Sequence, residues 1–448
     1  MNAVEPVRIR PGFPSLAWIR QMLATAGRRR GEILAMLGTV STPAVNLVYG
    51  LLVFRNMTPE MAGLVATAAI LPFYLTFLNF GVLNGQQREL PFALGAGDRE
   101  RANRILQTAS QVSLAAGTVG ALVCVGTGLI SLLLKKPPLL VLAFCGAGLG
   151  AFAYQVVTHT DIALRSENRY LRQAWAVIGT NLISLVTCAL IPIAGTLGAI
   201  GRGALSSLGS LAVRWRTGLW TPGGRWNLQE ARALSRTGLP LMISGALASL
   251  LMVADRTMVA VLLPKQEMGE FQLAGMIVNS LTFVPTSLSL ILFPKIARAY
   301  GEHRSRRRLR RYVWISLLFN TATLIPVSAL CFFIIGPVVE RFFPAYAPGI
   351  PAARLACVTC VFWVYLGVGS VIGVINRMTP YLCALGAVLV IIFGASAWLI
   401  HLGHGIMGAA IARLIGTAIL CVFTILYSLH LTSSEIAEPA DKEGHAAG

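Results

Sequence analysis

The stretch that decides the fold is residues 238–263, GLPLMISGALASLLMVADRTMVAVLL. It is long enough to cross the hydrocarbon core of a bilayer as a helix, which takes about 20 apolar residues. Its only ionisable residues are Asp255 and Arg256, side by side toward its end. Strand alternation is absent, and backbone exposed to lipid has to be satisfied within the segment, so a helix is expected. A charge at mid-bilayer costs from about 2.5 kcal/mol upward, so charged residues in a span usually face a wet cavity or a partner.

The rest of the chain repeats the pattern. Of 448 residues, 55% are hydrophobic and 12% charged, and the mean hydropathy is +0.69. A soluble protein of this length needs far more polar surface. Twelve spans are expected near 31–54, 62–85, 105–134, 138–158, 173–195, 197–213, 238–263, 270–293, 312–336, 351–374, 380–401 and 405–429. The expected class is an all-α polytopic membrane protein.

The net charge of +19 would suit nucleic acid, but the basic residues sit in short loops between apolar runs, as the positive-inside rule describes. No nucleic-acid partner is expected; anionic membrane lipids are. With the N-terminus inside, 28 Lys/Arg fall on the side of the termini, six on the other side and three within spans: Arg202, Arg256 and Arg413. Both termini are therefore expected to be cytoplasmic. Residues 1–30 read as a basic interfacial segment without a cleavable signal, and 431–448 as a disordered tail. Between them lie a first bundle at 31–213, a cytoplasmic linker at 214–237 and a second bundle at 238–430. The eight cysteines are scattered through apolar runs, and the CxxC pair Cys357 and Cys360 lies inside a span. Free buried thiols are expected there, with no metal site and no cofactor.

The two halves repeat. Gly63 and Gly269 are 206 apart, as are Gly95 and Gly301. Gly198, Gly201 and Gly209 meet Gly405, Gly408 and Gly416 at 207. Six spans per half keep the same orientation, so the repeat is parallel and two six-helix bundles should face each other across a central cavity. In that register Arg413 falls on Ser206, one turn beyond Arg202, so both arginines should project from equivalent faces.

Residues 239–301 carry a resemblance to a known family. Leu239-Pro240, Asp255-Arg256, Gly269, Phe271, Leu273-Ala274 and Phe293-Pro294-Lys295 occur in the order found in the seventh and eighth helices of polysaccharide flippases. Those flippases belong to the multidrug/oligosaccharidyl-lipid/polysaccharide exporter superfamily. The resemblance implies a multi-pass protein of the bacterial inner membrane that moves an undecaprenyl-pyrophosphate-linked oligosaccharide between leaflets. Partners implied are the anionic lipid-linked substrate and glycan polymerase or export machinery.

The residues suit that substrate. Arginine presents a planar fork of donors that matches phosphate, so Arg256, Arg413 and Arg202 are the binding candidates. Asn46, Tyr49 and Asn279 are candidates for sugar hydroxyls; Asn79 and Asn181 are weaker ones, since amides in spans usually bridge helices. His159 and Asp161 are expected at a solvated helix end. Three roles stay open for Asp255: an ion pair with an arginine, a proton or sodium site that resets the carrier, or a fold-specifying buried group. The alternative is a multidrug/toxin cation antiporter on the same fold. Arginine-rich spans weigh against it, because Asp255 is the only acidic residue well inside a span. A membrane glycan polymerase or ligase should carry a larger outer loop with catalytic groups; the longest loop, 214–237, holds only Glu230. No enzyme is expected.

Overall fold

The computed structural model describes residues 30–216, 227–282, 285, 306–375 and 378–433. Expectations for residues 1–29, for the middle of the linker, for the Phe293-Pro294-Lys295 motif and for the tail beyond 433 lie outside them. The twelve expected spans are mainly helical where described, but the second breaks at Phe80–Gly81 and the fifth turns at Cys188–Ala189.

The first half holds α1 (Arg30–Asn56), α2 (Pro59–Leu75), α3 (Val82–Gly95), α4 (Arg99–Leu133), α5 (Pro138–Ser166), α6 (Tyr170–Thr187) and α7 (Leu190–Trp215). The second holds α8 (Leu228–Leu262), α9 (Lys265–Leu281), α10 (Arg306–Phe342), α11 (Ile350–Val361), α12 (Tyr365–Ile375), α13 (Thr379–Leu399) and α14 (Gly405–Ser433). Seven stretches are long and apolar enough to cross a membrane, with 379–433 counted as one, and the bent pair α6–α7 makes an eighth. This is a multi-pass membrane protein built as two six-span bundles.

Local chemistry explains the helix ends. Asp98 accepts from the Arg101 N–H at 2.9 Å to start α4, and Thr58 precedes Pro59 at the start of α2. Such caps satisfy amide donors that the first turn leaves free. The second span is broken between α2 and α3. Thr76–Asn79 form a 3-10 turn, and Phe80 and Gly81 take positive φ of 47° and 81°. Asn79 braces the break: its amide donates to Thr76 O and Gln155 Oε1, and its carbonyl oxygen accepts from the Gly81 N–H.

Part of the linker differs from expectation. Asn227 accepts from the Glu230 N–H at 3.0 Å, so residues 228–237 continue as the first turns of α8. Ala231 and Leu234 are buried there against Val82, Leu83 and Leu90 of α3, and that burial favours helix over an open loop.

Glycines set how the bundles meet. A Cβ on Gly63 would lie 2.7 Å from the Gly269 nitrogen, and one on Gly269 would run into the Pro59 carbonyl. The repeat-related glycines of α2 and α9 thus touch at the end away from the basic loops. Gly81, Gly85 and Gly238 do the same between α3 and α8. Small residues allow backbones to come this close. Tyr74 Oη and Thr257 Oγ1, 2.8 Å apart, and Tyr346 Oη donating to Met57 O at 3.0 Å add polar ties.

Candidate functional site

Between the bundles lies a cavity of about 580 Å³. Its walls come from α1, α2, α8 and α9, with Arg202 of α7 reaching in. Thr42, Asn46 and Tyr49 line it from the first half, and Arg256, Gln272, Asn279 and Ser280 from the second. Val53, Phe54, Ile70, Met268 and Met276 supply apolar wall. Five of the six binding candidates therefore reach one cavity: Arg202, Arg256, Asn46, Tyr49 and Asn279.

Each cavity arginine is held by its own bundle. Arg202 Nη2 donates to Ser184 Oγ at 3.2 Å, and its guanidinium lies over the Tyr49 ring, 4.2 Å from the centroid. An arginine over an aromatic face is stabilised by the ring's quadrupole, so α6 and α1 together fix this side chain. Arg256 Nη2 donates to the Gly275 carbonyl at 3.1 Å. Gly275 makes the seat possible, since a Cβ there would stand 2.7 Å from that nitrogen. Both Nε atoms are buried without a protein acceptor among the described residues, which leaves donor capacity at the cavity wall.

Arg413 does not join them. It is 3% exposed and Asp255 2%, and its Nη1 lies 2.6 Å from both Asp255 oxygens and 3.3 Å from Met252 O. The pair sits outside the cavity lining, beside a void of about 10 Å³ walled by Phe271, Thr359 and Ala410. The expectation of equivalent faces fails on register. Gly195 and Gly405 share an unusual conformation, φ 53°, ψ −121° and φ 51°, ψ −137°. A Cβ on Gly198 would strike Leu190, before the Gly195 kink in α7, and one on Gly408 would strike Leu399 at the end of α13, before the Gly405 turn. Both pairs are 210 apart, not 207, so Arg413 matches Gly203 rather than Ser206. Adjacent helix positions point about 100° apart, which turns Arg413 away from the face Arg202 uses.

The neighbouring charges Asp255 and Arg256 split for the same reason. Asp255 faces α14 and takes Arg413; Arg256 faces the cavity. Of the three roles open for Asp255, the geometry supplies the ion pair.

The weaker candidates have structural partners. Asn181 donates to Gly38 O, Ser41 Oγ and Thr42 Oγ1, tying α6 to α1. His159 is buried beside Gln86, and Asp161 receives both Nε and Nη2 of Arg214 at 3.2 Å, so neither sits at a solvated end. Gln272 and Ser280 were missed as cavity residues. The signal was present: Gln272 and Asn279 stand seven apart, the spacing of one helix face. All eight cysteines are unpaired, and five of them are buried, Cys357 and Cys360 among these.

The fold is one already known in transporters. An inward-facing multidrug resistance MATE family transporter of the MOP superfamily superposes with TM-score 0.71 at 17% identity, over 89% of this chain and 98% of that one. An outward-facing structure described in the same words gives 0.61 at 18% identity, over 90% and 95%. A MATE in complex with MaD3S gives 0.62 at 18%, also over 90% and 95%. Residues 240–377 match the MatE family model. No curated protein matches the chain. The chain thus has the MATE transporter fold.

Proposed function

We propose that this chain is an alternating-access transporter whose substrate is an anionic, lipid-linked oligosaccharide, carried across the bacterial inner membrane with both chain termini on the cytoplasmic side. One observation carries the reading. The described cavity lining holds two arginines, one from each bundle, and no carboxylate. A pyrophosphate suits such a pair, because guanidinium forks match phosphate oxygens, and a desolvated cavity strengthens the attraction. Asn46, Gln272 and Asn279 supply sugar-binding groups, and the apolar wall tolerates the lipid stem.

A second reading is favoured by the structural likenesses, two of which are described as multidrug resistance transporters. On that reading the chain exports cationic drugs on the shared scaffold. The cavity weighs against it: a cation entering would meet Arg202 and Arg256, and the buried carboxylate of Asp255 is already neutralised by Arg413.

Proteoliposomes separate the two. With a fluorescent pyrophosphoryl-linked oligosaccharide lipid, wild-type protein should move label between leaflets, and Arg202→Ala and Arg256→Ala should each slow it by tenfold or more. Movement of a cationic dye, with no movement of the saccharide lipid, would overturn the anionic reading in favour of the antiporter.

A further inference from the structure

A second cavity, of about 360 Å³, lies on the flank of the molecule where α3, α4 and α8 meet. It shares no lining residue with the central cavity. Its walls are apolar: Leu78, Phe80 and Val82 on one side, Val112, Ala115 and Val119 on the other. Phe80 is 65% exposed because its left-handed backbone turns the ring outward at the break in the second span. Ser235 fixes that edge by donating to Phe80 O at 2.7 Å.

One end of the groove is cationic. Arg232 lines it, and Arg236 follows one turn later on the same helix face. Both are exposed, and neither has an ion pair among the described residues. Arg101, Arg104 and Arg214 differ, since each is matched by a carboxylate. Depth fits the charge. From Arg232 to Leu262, α8 rises about 45 Å at 1.5 Å per residue, longer than the roughly 30 Å hydrocarbon core. Arg232 therefore lies at headgroup level in the leaflet beside the basic loops. The wall from Val112 to Val119 runs about 10 Å further along its helix.

We propose that this groove is a site for one anionic phospholipid, its phosphate against Arg232 and one acyl chain along Val112 to Val119. The groove spans the seam between the bundles, so an occupant bridges α4 of the first and α8 of the second. The proposal stands apart from the assignment of the transported substrate.

Native mass spectrometry of the purified protein tests it, with phosphatidylglycerol and phosphatidylcholine as probes. Wild type should retain phosphatidylglycerol in preference. Arg232→Ala should reduce that preference about five-fold, the contribution of one cationic side chain near a lipid surface. Ala115→Trp, at an exposed position in the groove wall, should remove the tightly held lipid for both headgroups. Equal retention of the two lipids by wild type, or undiminished retention in Ala115→Trp, would overturn the proposal. So would displacement of the bound lipid by an isoprenoid phosphate, which would mark the groove as a substrate-tail channel.

Discussion

Breaking the Asp255–Arg413 pair should cost more than any cavity substitution, and restoring neutrality should recover most of the loss. In Asp255→Asn, Arg413 stays buried at 3% exposure and keeps neutral contacts, the amide oxygen at position 255, Met252 O at 3.3 Å and the Trp363 ring, but loses the carboxylate that balances its charge. Its Nε and Nη2 already lack a protein acceptor among the described residues, and the adjoining void of about 10 Å³ admits at most one water. Removing one partner of a buried ion pair typically costs about 3–5 kcal/mol, whereas replacing both with apolar groups is often neutral or stabilising. Arg413→Met should be as harmful as Asp255→Asn, and Asp255→Leu/Arg413→Met should melt above either single variant in detergent. The same proteins then report on coupling. If Asp255 serves only as counter-ion, the double variant in proteoliposomes keeps its transport and its dependence on a proton or sodium gradient. A single Asp255→Asn protein that melts like wild type would refute the energetics. A well-folded double variant that transports without responding to the gradient would return Asp255 to the role of coupling site.

Three further outcomes follow from close contacts. Gly269→Ala should force α2 and α9 apart at the crossing with Pro59; overpacking of about 1–3 kcal/mol is enough to shift a two-state balance about 5- to 150-fold, so a cysteine at Ala66 should become reactive from the side away from the basic loops, and unchanged reactivity would show that this contact does not close the cavity. Gly275→Ala should dislodge Arg256 from its seat and reproduce the transport defect of Arg256→Ala at wild-type melting temperature; normal transport would separate Arg256 from the reaction path. Tyr49→Phe should retain saccharide-lipid binding and Tyr49→Leu should weaken it about two- to five-fold, as loss of a cation–π contact of roughly 0.5–1 kcal/mol implies, read from titration of the labelled lipid; equal affinity in all three proteins would make the ring over Arg202 incidental.

Most of the fold was legible because membrane helices announce themselves through length and hydropathy. The 206 spacing marked Gly63 and Gly269 as counterparts in the two halves; that these counterparts touch each other is what the structure adds. The break at Thr76–Asn79 was not: nothing in TFLNFG distinguishes a 3-10 turn braced by Gln155, a residue 76 positions away, from continuous helix. Nor was the helical continuation into residues 228–237, which depends on burial of Ala231 and Leu234 against another bundle element. At the site, residue type picked out five cavity side chains. The sixth was misplaced by a three-residue slip in the repeat. Glycines recur often enough in spans six and twelve to align at 207, and only backbone dihedrals at Gly195 and Gly405 show that the turns correspond at 210.

That slip changes how the charges divide between the bundles. A strict repeat would put two arginines on matching faces of α7 and α14 and leave Arg256 as an extra. Instead each bundle offers the cavity one guanidinium, Arg202 stacked on Tyr49 and Arg256 seated on Gly275. The third is withdrawn into the second bundle by Asp255. Two cations held by separate rigid bodies repel when the bundles approach, and an anion between them turns that repulsion into attraction. A ligand shifts a conformational balance only through differential affinity for the two states, and an anion that bridges the bundles binds best when they are close. On this geometry the substrate itself favours the approach of the bundles, and the buried pair keeps Asp255 from supplying that negative charge in its place.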